Sequence, residues 1–231
     1  AEAHEAIAET TDGAELADRL ITAGRDYLAA DVGREKTMTT ALMDVMQELD
    51  RGQTDRLDTG FSRLDALLKG LYPGQLVLIG ARPGVGKSAF ALNLAMNAAR
   101  SVKVILFSME MTAREIAQRG IVNRSPLPLD AFLDGKIDGG NVGRIAEAAG
   151  ELSKLPIVID DRPYLTAEQL RARVRLHPDA RLVIVDYLGL MQTARRDGNR
   201  NLELGELARK LKTLANSAAV PVIALSQLNR G

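Results

Sequence analysis

The residues whose types and spacing suit chemistry begin with Gly80-Ala81-Arg82-Pro83-Gly84-Val85-Gly86-Lys87-Ser88. An apolar run, 75–79, precedes them and an amphipathic run, 89–99, follows. That is the strand–loop–helix order a phosphate-binding loop requires. In such a loop successive backbone N–H groups point at an anionic phosphate, and the helix N-terminus adds its dipole. Arg82, Gly84, Val85, Gly86, Lys87, Ser88 and Ala89 are therefore the candidate phosphate contacts. Lys87 is expected to reach the β- and γ-phosphates of a nucleoside triphosphate, and the Ser88 hydroxyl to hold Mg2+. The strict pattern has Gly where this chain has Ala81, a position that tolerates a Cβ only at negative φ. The plainer alternative is a glycine-rich turn that happens to precede a helix.

A nucleotide-hydrolysing site also needs an acid near the metal, a group that activates water, and a group that senses the γ-phosphate. Leu182-Val183-Ile184-Val185-Asp186 is an apolar run ending in a carboxylate. This places Asp186 at the carboxyl end of a buried strand, where open α/β sheets bind ligands, and makes it a candidate Mg2+ ligand with Ser88. Glu110, in Phe107-Ser108-Met109-Glu110-Met111, follows another apolar run. It can be read as a general base for water, or as an acid favoured by the dipole of a helix starting near Thr112. Gln227 follows the last apolar run and is a candidate γ-phosphate contact, or a plain loop residue. Arg195, Arg196 and Arg200 make a local basic cluster in the polar stretch 193–201. It can hold the backbone of a nucleic-acid strand, or it is a solvated loop.

The elements that must position these residues follow from hydrophobic patterning. Five short apolar runs (76–79, 104–107, 157–159, 182–185 and 222–225) alternate with helical patterns at 87–99, 113–122, 143–152, 167–175 and 202–216. Continuous rather than alternating hydrophobicity implies strands covered on both faces, and the alternation implies a parallel sheet with helical crossovers. The expected class is therefore α/β, a phosphate-loop core with a mainly parallel sheet. Upstream, residues 1–33 read as helical, with Asp12 as N-cap. A second amphipathic helix follows, with Met38, Leu42, Val45, Met46 and Leu49 on one face and Gly52 as a stop. The stretch 53–58 reads as a polar linker. Three parts are thus expected: 1–33, a linker region 34–58, and a nucleotide-binding domain 59–231. An apolar stripe on a tethered helix must be buried, on its own domain or on a neighbouring subunit.

Composition removes several classes. Thirty basic residues balance thirty acidic ones, so nucleic acid must be held by a local patch or by several subunits facing one channel. Aromatic residues are 3% of the chain and Trp is absent, which argues against a base-stacking platform. With no Cys and only His4 and His177, a zinc site is implausible and a reducing cytoplasm is the fitting compartment. No apolar run approaches the length a transmembrane helix needs, so no membrane partner is expected.

Together these motifs resemble the ATPase domain of the DnaB-type replicative helicases, which have a RecA-like fold. Thr59-Gly60-Phe61-Ser62-Arg63-Leu64-Asp65 with Gly70-Leu71 resembles that family's opening motif, and 81–88 is similar to its phosphate loop, Ala included. Phe107 to Met111 resembles the segment carrying its catalytic Glu, here Glu110. Ile159-Asp160-Asp161, Val185-Asp186-Tyr187-Leu188-Gly189-Leu190-Met191 and Ala224-Leu225-Ser226-Gln227-Leu228-Asn229-Arg230 resemble further signatures, in the family's order. The resemblance covers about 56–231. It implies an ATP-driven hexameric ring that translocates on single-stranded DNA and unwinds duplex at the replication fork. Glu110, Lys87 and Gln227 would act at the catalytic centre, and helix 37–50 would pack on the adjacent subunit. A primase and a helicase loader are implied partners. In the family a second DNA-binding loop and the arginine supplied to the neighbouring site lie further on, so a molecule ending at Gly231 is expected to bind nucleotide and hydrolyse it poorly. The stretch 175–180 is shorter and more turn-like than the family's.

Two other classes share parts of this pattern. A strand-pairing recombinase of the RecA group has the same core but forms filaments, and the wording of the Glu110 and Asp186 segments favours the helicase. A non-catalytic ATP-binding assembly module is the third.

Overall fold

The apolar runs each become one strand of a single sheet. They are β1 (Leu76–Ala81), β2 (Lys103–Ser108), β3 (Ile157–Asp160), β4 (Ala180–Asp186) and β5 (Val222–Gln227). The computed structural model describes residues 37–51, 56–125, 132, 139–191 and 200–228. The chain divides into two units, 1–54 and 55–231.

In the second unit the strand order is β1-β5-β4-β2-β3, and every pairing is parallel. Parallel neighbours need crossovers, and helices supply them: α3 (Lys87–Ala98) after β1, α4 (Ala113–Arg124) and α5 (Gly139–Leu152) after β2, α6 (Ala167–Arg175) after β3, α7 (Arg200–Ala218) after β4. A short α2 (Ser62–Leu68) precedes the sheet, and α1 (Met38–Arg51) belongs to the first unit.

Alternate strand residues enter opposite cores. Val104, Leu106, Leu182, Ile184, Ile223 and Leu225 pack with Leu94, Met96 and Ile116 of α3 and α4. Ile105, Phe107, Val183, Val185, Val222 and Ala224 pack with Leu170, Leu207 and Leu211 of α6 and α7. Two buried faces explain why the runs of β2, β4 and β5 are continuously apolar. Each fully buried Leu, Ile, Val or Phe contributes about 1.5–3 kcal/mol before chain entropy is charged against it.

Several boundaries move. Leu57, inside the expected linker, exchanges backbone bonds with Leu71 at 2.8 Å in each direction and so belongs to the domain's opening. There Asp65, within α2, ties down the turn before the helix, its Oδ1 accepting from the N–H and hydroxyl of Thr59 at 2.7 Å. Gly60 is required by packing, since a Cβ would stand 2.6 Å from that of Asn97. Helix α5 starts at Gly139 rather than 143, and α7 at Arg200 rather than 202. The 175–180 turn is tight, with Ala180 N–H donating to His177 O at 3.0 Å.

In the first unit α1 opens on Thr37, whose hydroxyl accepts from Thr40 N–H at 3.2 Å. The side chains of Met38, Leu42, Val45, Met46 and Leu49 are exposed. The expected N-terminal helix 1–33, its cap Asp12 and the stop at Gly52 lie outside the described residues.

Candidate active site at the carboxyl edge of the sheet

Ala81 is the last residue of β1 and pairs with Gln227 of β5. It is extended there, so the Cβ that replaces the usual glycine costs nothing. Gly84 and Gly86 have φ of 77° and 96°, the left-handed region, while a Cβ at either would meet nothing within 4 Å. Backbone conformation, not crowding, demands glycine at both, and the loop faces open space. Gly86 is also the N-cap of α3; no side chain caps that helix and its first turn holds no acid. A helix N-terminus without a side-chain acceptor is an anion site by construction, and Lys87, Ser88 and Ala89 form that first turn.

The Lys87 ammonium lies 3.3 Å from Asp186 Oδ1 and 3.6 Å from Glu110 Oε2. It also stands 3.6 Å from the centre of the Tyr187 ring. The Lys87 and Asp186 side chains are 9% and 5% exposed, whereas that of Glu110 is 49% exposed. Lys87 Nζ and Asp186 Oδ1 are buried, paired by charge, and without a hydrogen bond among the described residues. Buried polar atoms with unused bonding capacity are uncommon, and here they face the phosphate loop. Asp186 and Ser88 therefore fit a hard cation of the Mg2+ kind, which is held by one or two carboxylates plus substrate phosphates rather than by an all-protein cage. Among the described residues no cluster of three or more His, Cys, Asp and Glu is placed to bind a metal.

Glu110 sits in a turn pinned from three sides. Ser108, buried at the end of β2, donates its hydroxyl to Met111 O at 2.7 Å and accepts from Met111 N–H at 3.3 Å. Met109 N–H donates to Asp186 O at 2.8 Å. Beyond the turn, Ala113 N–H donates to Asp161 Oδ2 at 2.7 Å. Helix α4 begins only at Ala113, with Thr112 as N-cap and Glu115 completing a capping box. Glu110 is thus outside the helix, and the acid favoured by the first turn is Glu115. Thr112, through its backbone N–H and then its hydroxyl, holds the Glu115 carboxyl below the ordinary range. The neighbouring signature acid Asp160 is likewise lowered, by its ion pair with Arg162.

Gln227 ends β5 and lines the same cleft as Arg82, Gly84, Lys87, Ser88 and Glu110, a space of about 350 Å³. Register explains the gathering. Ala81 faces Gln227 across β1 and β5, and Ser108 faces Asp186 across β2 and β4, so all these chain segments leave the sheet at one edge.

Residues 56–231 match the model of the family described as DnaB-like helicase C terminal domain. The chain belongs to this family. It is 41% identical over 185 residues to the replicative DNA helicase DnaB of Leifsonia xyli subsp. xyli (strain CTCB07), which covers 78% of this chain and 40% of that protein. A solved ATPase domain superposes with TM-score 0.78 at 31% identity, covering 85% of this chain and 72% of its own. The structure of a DnaB-like replicative helicase, described with its interactions with primase, superposes with TM-score 0.74 at 30% identity over 85% of this chain and 49% of that one. The fold is therefore the RecA-like α/β core of DnaB helicases, as expected. The chain spans about two fifths of the length of the curated relative it matches.

Within this DnaB-family site the structure adds a residue that sequence reasoning missed. Arg119, on α4, lines the cleft beside Glu110 and Met111. Its only signal was one of three arginines, with Arg114 and Arg124, spaced along a helical segment, which does not distinguish a cleft from solvent. Of the expected DNA contacts, Arg195 and Arg196 lie outside the described residues, and Arg200 is the first residue of α7 rather than part of a loop.

Proposed function

We propose that this chain is the ATP-hydrolysing portion of a DnaB-type replicative DNA helicase, a homohexameric ring that moves along single-stranded DNA and unwinds duplex. The observation that carries this reading is the convergence of Glu110, Asp186 and Gln227, from three separate stretches of chain, on one phosphate loop and its Lys87. ATP lies along the loop, its β- and γ-phosphates on the N–H groups of the α3 first turn and on the Lys87 ammonium. Ser88 and Asp186 would hold Mg2+, which would supply positive charge to offset that of the phosphates. Glu110, half exposed at the cleft mouth, takes a proton from the attacking water as the water oxygen bonds to the γ-phosphorus. The oxygen bridging to the β-phosphate leaves, giving ADP and phosphate. Gln227 contacts the γ-phosphate and ties its presence to β5.

Helix 37–50 joins the subunits. Arg195, Arg196 and Arg200 hold the DNA backbone. Primase is a partner, supported by the DnaB-like neighbour described with it, and a helicase loader is another. Among the described residues no helix is long and apolar enough to cross a membrane, and the working place is the cytoplasm.

The test uses the full-length protein with ATP, Mg2+ and forked DNA. Closed rings by electron microscopy and ATP-dependent strand displacement are expected, both nucleotide binding and unwinding being lost in Lys87→Ala. Filaments would favour the recombinase reading, and wild-type ATP affinity in Lys87→Ala would remove the phosphate-loop assignment.

A further inference from the structure

The residue after the metal-site aspartate is an aromatic with its ring under the loop lysine. Tyr187 follows β4 directly and is half-buried, packed against the core cluster that includes Leu182, Ile184, Ile223 and Leu225. Packing therefore fixes where its ring can be. Lys87 Nζ stands 3.6 Å from the ring centre, well within the roughly 6 Å over which an aromatic face attracts a cation.

A desolvated ammonium between two carboxylates has an obvious competitor problem. Asp186 and Glu110 both draw Lys87 toward themselves, at 3.3 Å and 3.6 Å. Each carboxylate that holds the lysine cancels charge intended for phosphate. A ring face differs: it attracts the cation through its quadrupole, carries no net charge, and competes for none of the three N–H donors. We propose that Tyr187 is a positioning residue for Lys87, its ring face holding the ammonium at the loop while leaving its full charge for the phosphates. The inference rests on Lys87 being the phosphate-binding lysine.

The contribution belongs to the ring face and not to the phenol hydroxyl. Tyr187→Phe in the full-length protein should therefore bind ATP within about twofold of wild type. Tyr187→Leu should bind roughly ten- to thirtyfold more weakly, the size of a desolvated cation–π contact. Because Tyr187→Leu also removes packing, a second series keeps the ring's shape. Phenylalanines carrying one, two and three fluorines, incorporated at position 187, drain the ring face stepwise. ATP affinity should fall with each fluorine while the thermal midpoint without nucleotide stays level.

A flat fluorine series, or equal losses in Tyr187→Phe and Tyr187→Leu, overturns the proposal. Lys87→Ala, measured alongside, separates this failure from that of the underlying reading. If Lys87→Ala abolishes binding but the fluorine series is flat, Tyr187 alone is reassigned. If Lys87→Ala binds ATP normally, the phosphate-loop reading has failed and this inference with it.

Discussion

The backbone N–H of Met109 donates to the carbonyl of Asp186 at 2.8 Å. One bond thereby ties the turn that carries Glu110 to the strand end that carries Asp186. The proposed general base and the proposed metal ligand keep a set spacing, and the Ser108 bonds to Met111 close the turn from the other side. Preorganisation of this kind is what a water-activating carboxylate needs, since proton transfer depends on geometry before acidity.

Replacing Glu110 by Gln keeps the shape of that side chain and removes its basicity. The full-length variant should bind ATP with Mg2+ as wild type does and lose roughly 10²–10⁴-fold in turnover. Single-turnover hydrolysis measured beside nucleotide affinity checks this, and undiminished turnover would move the base elsewhere in the cleft.

The α4 capping box sets where the Glu110 turn ends. Thr112→Ala removes a cap worth about 1 kcal/mol, and urea unfolding should show a loss of that order. Glu115 also gives this cap a pH signature. Its carboxyl is lowered in the folded protein by the Thr112 N–H, so its contribution is present above the ordinary Glu value of 4.5 and is lost as pH falls through the lower folded value. Glu115→Gln should flatten the decline of the thermal midpoint on acidification below about pH 4.5. An unchanged acid slope would show the box to be energetically silent.

Leu42, Met46 and Leu49 form one exposed stripe on α1. Burying each on a neighbouring subunit contributes about 1.5–3 kcal/mol before ordering costs, repeated around a ring. Changing Leu42 and Met46 to Asp should give monomers that still bind ATP but no longer form hexamers or unwind DNA. Light scattering that still reports hexamers would assign assembly to another surface.

Alanine at Arg195, Arg196 and Arg200 should weaken single-stranded DNA binding with little sequence preference. Each lost phosphate contact lowers the slope of log K against log salt by about 0.7. Titrations across salt concentrations read this directly, and an unaltered slope would leave the three arginines solvated.

Local chemistry was legible in the chain itself. The run from Gln75 to Ser88 announces strand, loop and helix because glycine at left-handed φ and a lysine at the helix start have few other uses together. The apolar runs located the five described strands, with shifts confined to their ends, because burial on both faces keeps the middle of the central strands apolar. The expected helix start near Thr112 is observed, but the capping box with Glu115, which puts Glu110 outside α4, was not read from the sequence. What the chain could not state is which distant segments meet. Strand order places β5 and β4 between β1 and β2, and only that order brings Asp186 and Glu110 to Lys87. Nothing in the local sequence of Tyr187 or Arg119 says that a ring lies under the lysine or that a guanidinium faces the cleft. Periodicity reports whether a side chain is buried; tertiary packing alone decides against what.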